Sequence, residues 1–374
     1  MLIKNARVLD PSIGYDESDE DLAIANGKLL KNCRDVAPRL VIDAKDCIVI
    51  PGLIDFHKHI FPTGSQYGVH ADISSLCDGV IGAVDAGSAG TANYESLEQY
   101  LCTQQLFTKA FLNFAPMGIA TREHPEMICP DKWSSAGFAA MRDRFPRIIG
   151  MKLRASRDVV GNDGKTVRKA IDLAHKAGMP INLHICNSAI PVEEFLPIME
   201  ANDIICHPYH NRGENILDDE GHVKPCVWDA RKRGVLFDSA EGYSNISYIE
   251  MEKALRDGFY PDIISTDMTN FTWNLTRLTQ THIINKYMQL GMSLMEVIRA
   301  CTTTPAAYMG ENGLCRLFGG GNASFTMLCA EDSVLVDDNF GFSGSSFISR
   351  PYWMAVASVL NGDIVYLAER FLRS

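Results

Sequence analysis

PGLIDFHKH, residues 51–59, is an apolar run that ends in two histidines spaced two apart. On a β-strand, residues i and i+2 point to the same side, so His57 and His59 present both imidazoles in one direction. Two neutral imidazoles converging on one point form a metal-ligand arrangement. Taken alone, the pair reads more readily as two ordinary polar residues at a strand end. The rest of the chain decides between these readings.

Downstream, short apolar runs alternate with helical stretches. The runs are GVIGAVDAG, AFLNFAPMG, IIGMKLRA, MPINLHI, DIICHPYH, GVLFDSAEG and DIISTDMT. The segments TVRKAIDLAHKAG (166–178), VEEFLPIMEAN (192–202) and YIEMEKALRDG (248–258) lie between them and carry apolar residues at helical spacing. Strands alternating with helices imply right-handed parallel βαβ units. Counting the run before His57, there are eight, and no GxGxxG follows the first. This favours a (β/α)8 TIM barrel over an open doubly wound sheet. The predicted barrel spans residues 51–310. Residues 1–50 and 311–374 are richer in short alternating segments, and Asn361-Gly362-Asp363 reads as a hairpin turn. The two ends are expected to combine in one small β-sandwich domain, making the whole an α/β fold.

In a parallel barrel all strand C-termini meet on one face, where such enzymes place their chemistry. The runs end near Lys152, His184, His207 and Asp267. Buried charge is costly unless paired or metal-bound, so core packing gives no reason for this set. His57, His59, Lys152, His184, His207 and Asp267 are therefore the candidate metal ligands, on two divalent cations. Lys152 needs a further step. A lysine buried in an apolar pocket tends toward the neutral amine, which takes up CO2 and becomes an anionic carbamate able to bridge two metals. The alternative is an ion pair with a nearby acid. Asp267 is the candidate catalytic residue, moving a proton from water to the leaving group; the alternative is a helix N-cap. Arg154, Asn113 and Glu241 are candidate substrate contacts. Each has a plainer alternative as a rim salt bridge, a turn residue and a solvated loop acid.

The combination of HxH after PGLID, a strand-four lysine, two later strand-end histidines and a strand-eight Asp resembles the amidohydrolase superfamily. GAVDAGSAG, GMKLRAS and GVLFDSAEG resemble its amidohydrolase/deacetylase branch, related to dihydroorotase, D-aminoacylase and acetyl-mandelate esterase. The resemblance implies His57, His59 and Asp267 on one metal, His184 and His207 on the other, and carbamylated Lys152 between them. It implies hydrolysis of an amide, cyclic amide or ester by a metal-bridging hydroxide, with zinc the expected cation. Ser239-Ala240-Glu241-Gly242 departs from the His-Gly pair of that branch, which bears on the substrate. A deaminase of a nucleobase-like substrate and a non-catalytic scaffold are the alternative readings.

Composition narrows the partners. The net charge is −11, opposite to a nucleic-acid footprint, and no run approaches a membrane span. The expected partner is a small-molecule substrate, with a homo-oligomer made plausible by apolar edges of the terminal β-domain. Eleven cysteines without a CxxC pair read as reduced thiols of a cytoplasmic protein.

Overall fold

The computed structural model describes residues 1–371 except 32, 34–36, 125, 163, 276–277, 312, 315, 319–320, 333, 339–344 and 350. Seven parallel strands form the central sheet: β1 (Leu53–Lys58), β2 (Val80–Asp85), β3 (Phe107–Asn113), β4 (Ile148–Arg154), β5 (Ile181–His184), β6 (Ile204–Cys206) and β7 (Leu236–Asp238). They lie side by side in chain order. β1 and β2 are buried along their whole length, as expected of parallel strands covered on both faces.

The eighth position is held by an irregular segment, 263–268. On one edge, Ser239 N donates to Ile263 O at 2.9 Å and Glu241 N to Ser265 O at 3.2 Å. On the other, Asp267 N donates to His57 O at 2.7 Å and His59 N to Met268 O at 3.0 Å. Bridges Asp238↔Ile263 and Lys58↔Met268 are both parallel, so the segment joins β7 back to β1. Asp267 sits at φ 49°, outside the extended region, which interrupts regular strand geometry here.

The helices cover the outside of this sheet. Lys165–Lys176 buries Val167, Ala170, Ile171 and Ala174, spaced three to four apart. It stops at Gly178, whose φ of 68° suits the left-handed position after a helix end. Tyr248–Arg256 is capped by Ser247, which accepts from Glu250 N. The helix expected over 192–202 is shorter. It runs only Val192–Phe195, followed by a 3-10 turn Leu196–Ile198. Pro197 lacks an N–H and its ring crowds the preceding turn, so the α-helix cannot continue through it.

The two chain ends build one eight-stranded mixed sheet, and Val334–Asp338 pairs with Ser345–Ser349 in a separate two-stranded one. Cys47–Pro51 lies between Leu2–Asp10, its parallel neighbour, and Phe325–Glu331, its antiparallel one. Ile24 near one end of the strand order and Val359 near the other share a single apolar cluster, so the sheet folds over its own core. Asn361 and Gly362, at φ 54° and 93°, make the tight turn joining Tyr352–Leu360 to Asp363–Leu367.

One expectation about the thiols is overturned. Cys47 and Cys329 face each other across adjacent antiparallel strands, with Cα atoms 4.0 Å apart and their sulfurs bonded. Directly opposed cross-strand side chains approach closely enough for this, whereas a separation of 282 residues conceals the pairing in the sequence. Eight other described cysteines are free. Among the described residues, no helix is long and apolar enough to cross a membrane.

Candidate metal centre

Between Asp55 and Lys58 the pairing of β1 with β2 slips, with three steps on β1 set against two on β2. Such a slip re-aims the following side chains. Phe56 packs edge-on against Phe111 and Tyr308 in the barrel floor. The next residue, His57, reaches the cavity above, as does His59.

This cavity, of about 410 Å³, opens at the C-terminal ends of the strands. Its walls include His57, His59, Lys152, His184, His207 and Asp267, so all six proposed ligands share one space. The ligand atoms of His57, His59 and Asp267 lie within 4.8 Å of one another. Asp267 Oδ1 stands 3.5 Å from His57 Nε2 and 3.3 Å from His59 Nε2. The ring centroids of His184 and His207 are 4.5 Å apart, and those of His57 and His207 5.2 Å.

Three imidazoles are tied from behind through Nδ1. His57 meets Asp238 Oδ2 at 3.2 Å, His59 meets Ser88 Oγ at 2.9 Å and His207 meets the Ala240 carbonyl at 2.5 Å. With Nδ1 engaged, Nε2 is left for the cavity, the arrangement in which a metal-binding imidazole is oriented. Burial, helped by the Lys152 charge, pushes His57 well below the usual histidine range. Burial does the same to His184 and His207, so these rings are neutral and carry a lone pair. Burial alone would raise the Asp267 carboxyl. The hydrogen bond from His59 and the neighbouring imidazoles of His57 and His207 outweigh this and hold it below the usual range. Asn245 Nδ2 donates to its other oxygen at 2.8 Å. Burial pushes Asp238 up to about 7, against the hydrogen bond from Ser265.

Local backbone conformation serves this set. His207 and Ala240 have φ of 63° and 40°, which non-glycine residues seldom adopt, and both belong to the strand-end turns that aim the ring. At Gly242, φ 58°, a Cβ would stand 2.5 Å from Asp267 Oδ2, so only glycine lets the turn approach that carboxylate.

Lys152 is buried, and Nζ donates to Asn182 Oδ1 at 2.9 Å and Cys206 Sγ at 3.0 Å. No acid lies within 4.0 Å of it among the described residues, so the ion-pair alternative is not realised.

The candidate substrate contacts separate. Arg154 lines the cavity, with Nε 2.9 Å from Glu126 and a second pairing to Asp158. Asn113 does not line it. Its amide donates to Gly87 O at 2.9 Å and accepts from Ala115 N at 2.8 Å, joining two strand-end turns. Glu241 is neither a solvated loop acid nor a cavity residue. It is buried and ion-paired with Lys286 on the helix Gln280–Gln289. Asn113 ends β3 and Glu241 lies three residues past β7, and the direction of neither side chain was deducible from its position. Tyr209 is a packing residue whose hydroxyl donates to Phe259 O. The segment 121–133 brings Arg122 and Glu126 to the cavity wall, while Pro125 lies outside the described residues.

Five supporting residues were missed in the sequence: Ser88, Asn182, Cys206, Asp238 and Asn245. Asn182 is two residues before His184 and shares its face, and Asp238 ends the seventh run, so both had a positional signal. Ser88 and Asn245 lie in loops and had none.

Comparison with known proteins agrees with this geometry. The Amidohydrolase family profile matches residues 146–328. A deacetylase of Agrobacterium fabrum is 26% identical over 372 residues, covering 96% of this chain and 90% of its own. A deacetylase of Enterococcus faecalis is 26% identical, covering 92% and 99%. A dihydroorotase crystal structure superposes with a TM-score of 0.86 at 24% identity, covering 98% of this chain and 97% of that one, and shares the fold. On these matches, the chain is similar over residues 146–328 to the Amidohydrolase family, over nearly its whole length to two deacetylases, and in fold to a dihydroorotase.

Proposed function

We propose that this protein is a binuclear metal-dependent hydrolase that cleaves an amide, cyclic amide or ester bond in a small molecule. The observation that carries the reading is the set of cavity-facing imidazoles fixed from behind beside Asp267. The donor set of imidazole nitrogens and a carboxylate fits a divalent cation, zinc in the first instance. His57, His59 and Asp267 would hold one cation, His184 and His207 a second, and Lys152, as its carbamate, both. Bound there, the cations would polarise a substrate carbonyl and make water a nucleophile near neutral pH.

The chain's own groups do the rest. Asp267, ionised and held by Asn245, takes a proton from the attacking water and hands it to the departing nitrogen or oxygen. Asp238, Ser88 and Ala240 keep the imidazoles turned toward the cavity. Arg154, steadied by Glu126 and Asp158, orients the polar end of the substrate. Eight of the ten described cysteines are free, which fits a cytoplasmic setting, whereas the Cys47–Cys329 disulfide speaks against a strongly reducing one.

The test is hydrolysis by the metal-loaded protein of N-acyl amino acids, acetylated hydroxy acids, hydantoins and dihydroorotate. Release of a carboxylic acid product from any of them is the expected result. No turnover across the panel, with two cations bound per chain, overturns the reading. Ammonia release with one cation per chain points to a deaminase instead.

A further inference from the structure

His57 belongs to two sets of donor groups. One is His57, His59 and Asp267. The other is His57, Cys206 and His207, whose ligand atoms also lie within 4.8 Å of one another and whose residues are all buried. Cys206 ends β6 and pairs across to His184 on β5, so the two side chains share the inner face of the barrel. Its sulfur stands 3.0 Å from Lys152 Nζ and 3.4 Å from Leu183 O, donating to the carbonyl and accepting from the amine. The other buried free thiols, Cys186 and Cys301, belong to neither donor set.

The two sets differ in chemical taste. A carboxylate with two imidazoles accepts zinc and harder cations, whereas a thiolate with two imidazoles shuns the hard ones, still accepts zinc and favours softer cations such as cadmium or copper(I). We propose that His57, Cys206 and His207 form a second, thiophilic cation site in the floor of the cavity. On binding, the Cys206 S–H bond gives way to a metal–sulfur bond and the proton passes to solvent. Lys152 then loses its sulfur acceptor and keeps Asn182. Because His57 and His207 are drawn on by both arrangements, a soft cation seated here competes with the loading proposed for hydrolysis. The site shares residues with the hydrolase reading but does not depend on turnover.

The probe is cadmium chloride added to metal-free protein, read as thiolate-to-cadmium charge-transfer absorption in the ultraviolet. The band is expected to saturate at one equivalent, to vanish in Cys206→Ser, and to persist in Cys186→Ser and Cys301→Ser. No band in the wild type, or an undiminished band in Cys206→Ser, overturns the proposal. If Cys206→Ser does not fold, cadmium-113 NMR of the wild type decides instead. A resonance in the sulfur-ligated range supports the site, and resonances only in the nitrogen and oxygen range overturn it. Hydrolysis without a band removes this inference alone; a band without hydrolysis of any substrate removes the hydrolase reading alone.

Discussion

Asn245 donates through Nδ2 to Oδ2 of Asp267 at 2.8 Å, leaving Oδ1 turned toward His57 and His59. A hydrogen bond to a charged group contributes about 1.5–3 kcal/mol. Asn245→Ala is therefore expected to weaken cation binding, or turnover, by about 10- to 100-fold. Equilibrium titration of metal-free protein measures this, and wild-type affinity in the variant would mean that Asp267 is held by other means.

Lys152→Ala removes the group proposed to bridge. The expected outcome is a fall from about two cations per chain to about one, since the His57, His59 and Asp267 set is untouched. Elemental analysis reads this directly. Two cations and normal turnover in the variant would dispose of the carbamate.

Glu241 and Lys286 are a buried ion pair, and that sets the direction of three variants. Removing one partner leaves an uncompensated buried charge, so Glu241→Leu or Lys286→Met alone should cost about 3–5 kcal/mol. The double variant should recover most of that loss, because two apolar groups replace the pair together. Urea unfolding of the three gives the coupling energy. Additive losses would place the function of Glu241 elsewhere.

Asp238 carries a pH prediction. Its folded pKa, about 7, lies above the ordinary Asp range near 4, so the folded state holds the proton more tightly. Its favourable contribution is present at low pH and is lost as pH rises through that window. Asp238→Asn should therefore gain stability relative to wild type between pH 5 and pH 8, by an amount on the order of 2 kcal/mol. Unfolding of the metal-free proteins at both pH values tests the sign. A relative gain that shrinks toward pH 8 contradicts the burial argument.

What could be read from the sequence followed one rule, that parallel strand ends gather on one face. It located His57, His59, Lys152, His184, His207 and Asp267, because each closes an apolar run. It failed for Asn113, at the end of β3, and Glu241, just past β7, whose side chains turn into the protein. Direction depends on register slips and turn conformations, such as φ 40° at Ala240, that a linear pattern does not encode. The helix expected through Pro197 was a local misreading that the proline itself should have prevented. The Cys47–Cys329 pairing depends on which strands become neighbours across 282 residues, and no local pattern carries that information.

The join between β1 and segment 263–268 lies beside the carboxylate and imidazoles of the first donor set. Asp267 N bonds to His57 O, and His59 N to Met268 O, so His57 and His59 are on one lip of that seam and Asp267 on the other. A cation gripped by all three would span the seam from within. Its binding energy would then resist parting of the two lips, so that the proposed ion would clasp the ring as well as equip it for chemistry. Cation capture and the integrity of the hoop would thereby be one equilibrium, each strengthening the other.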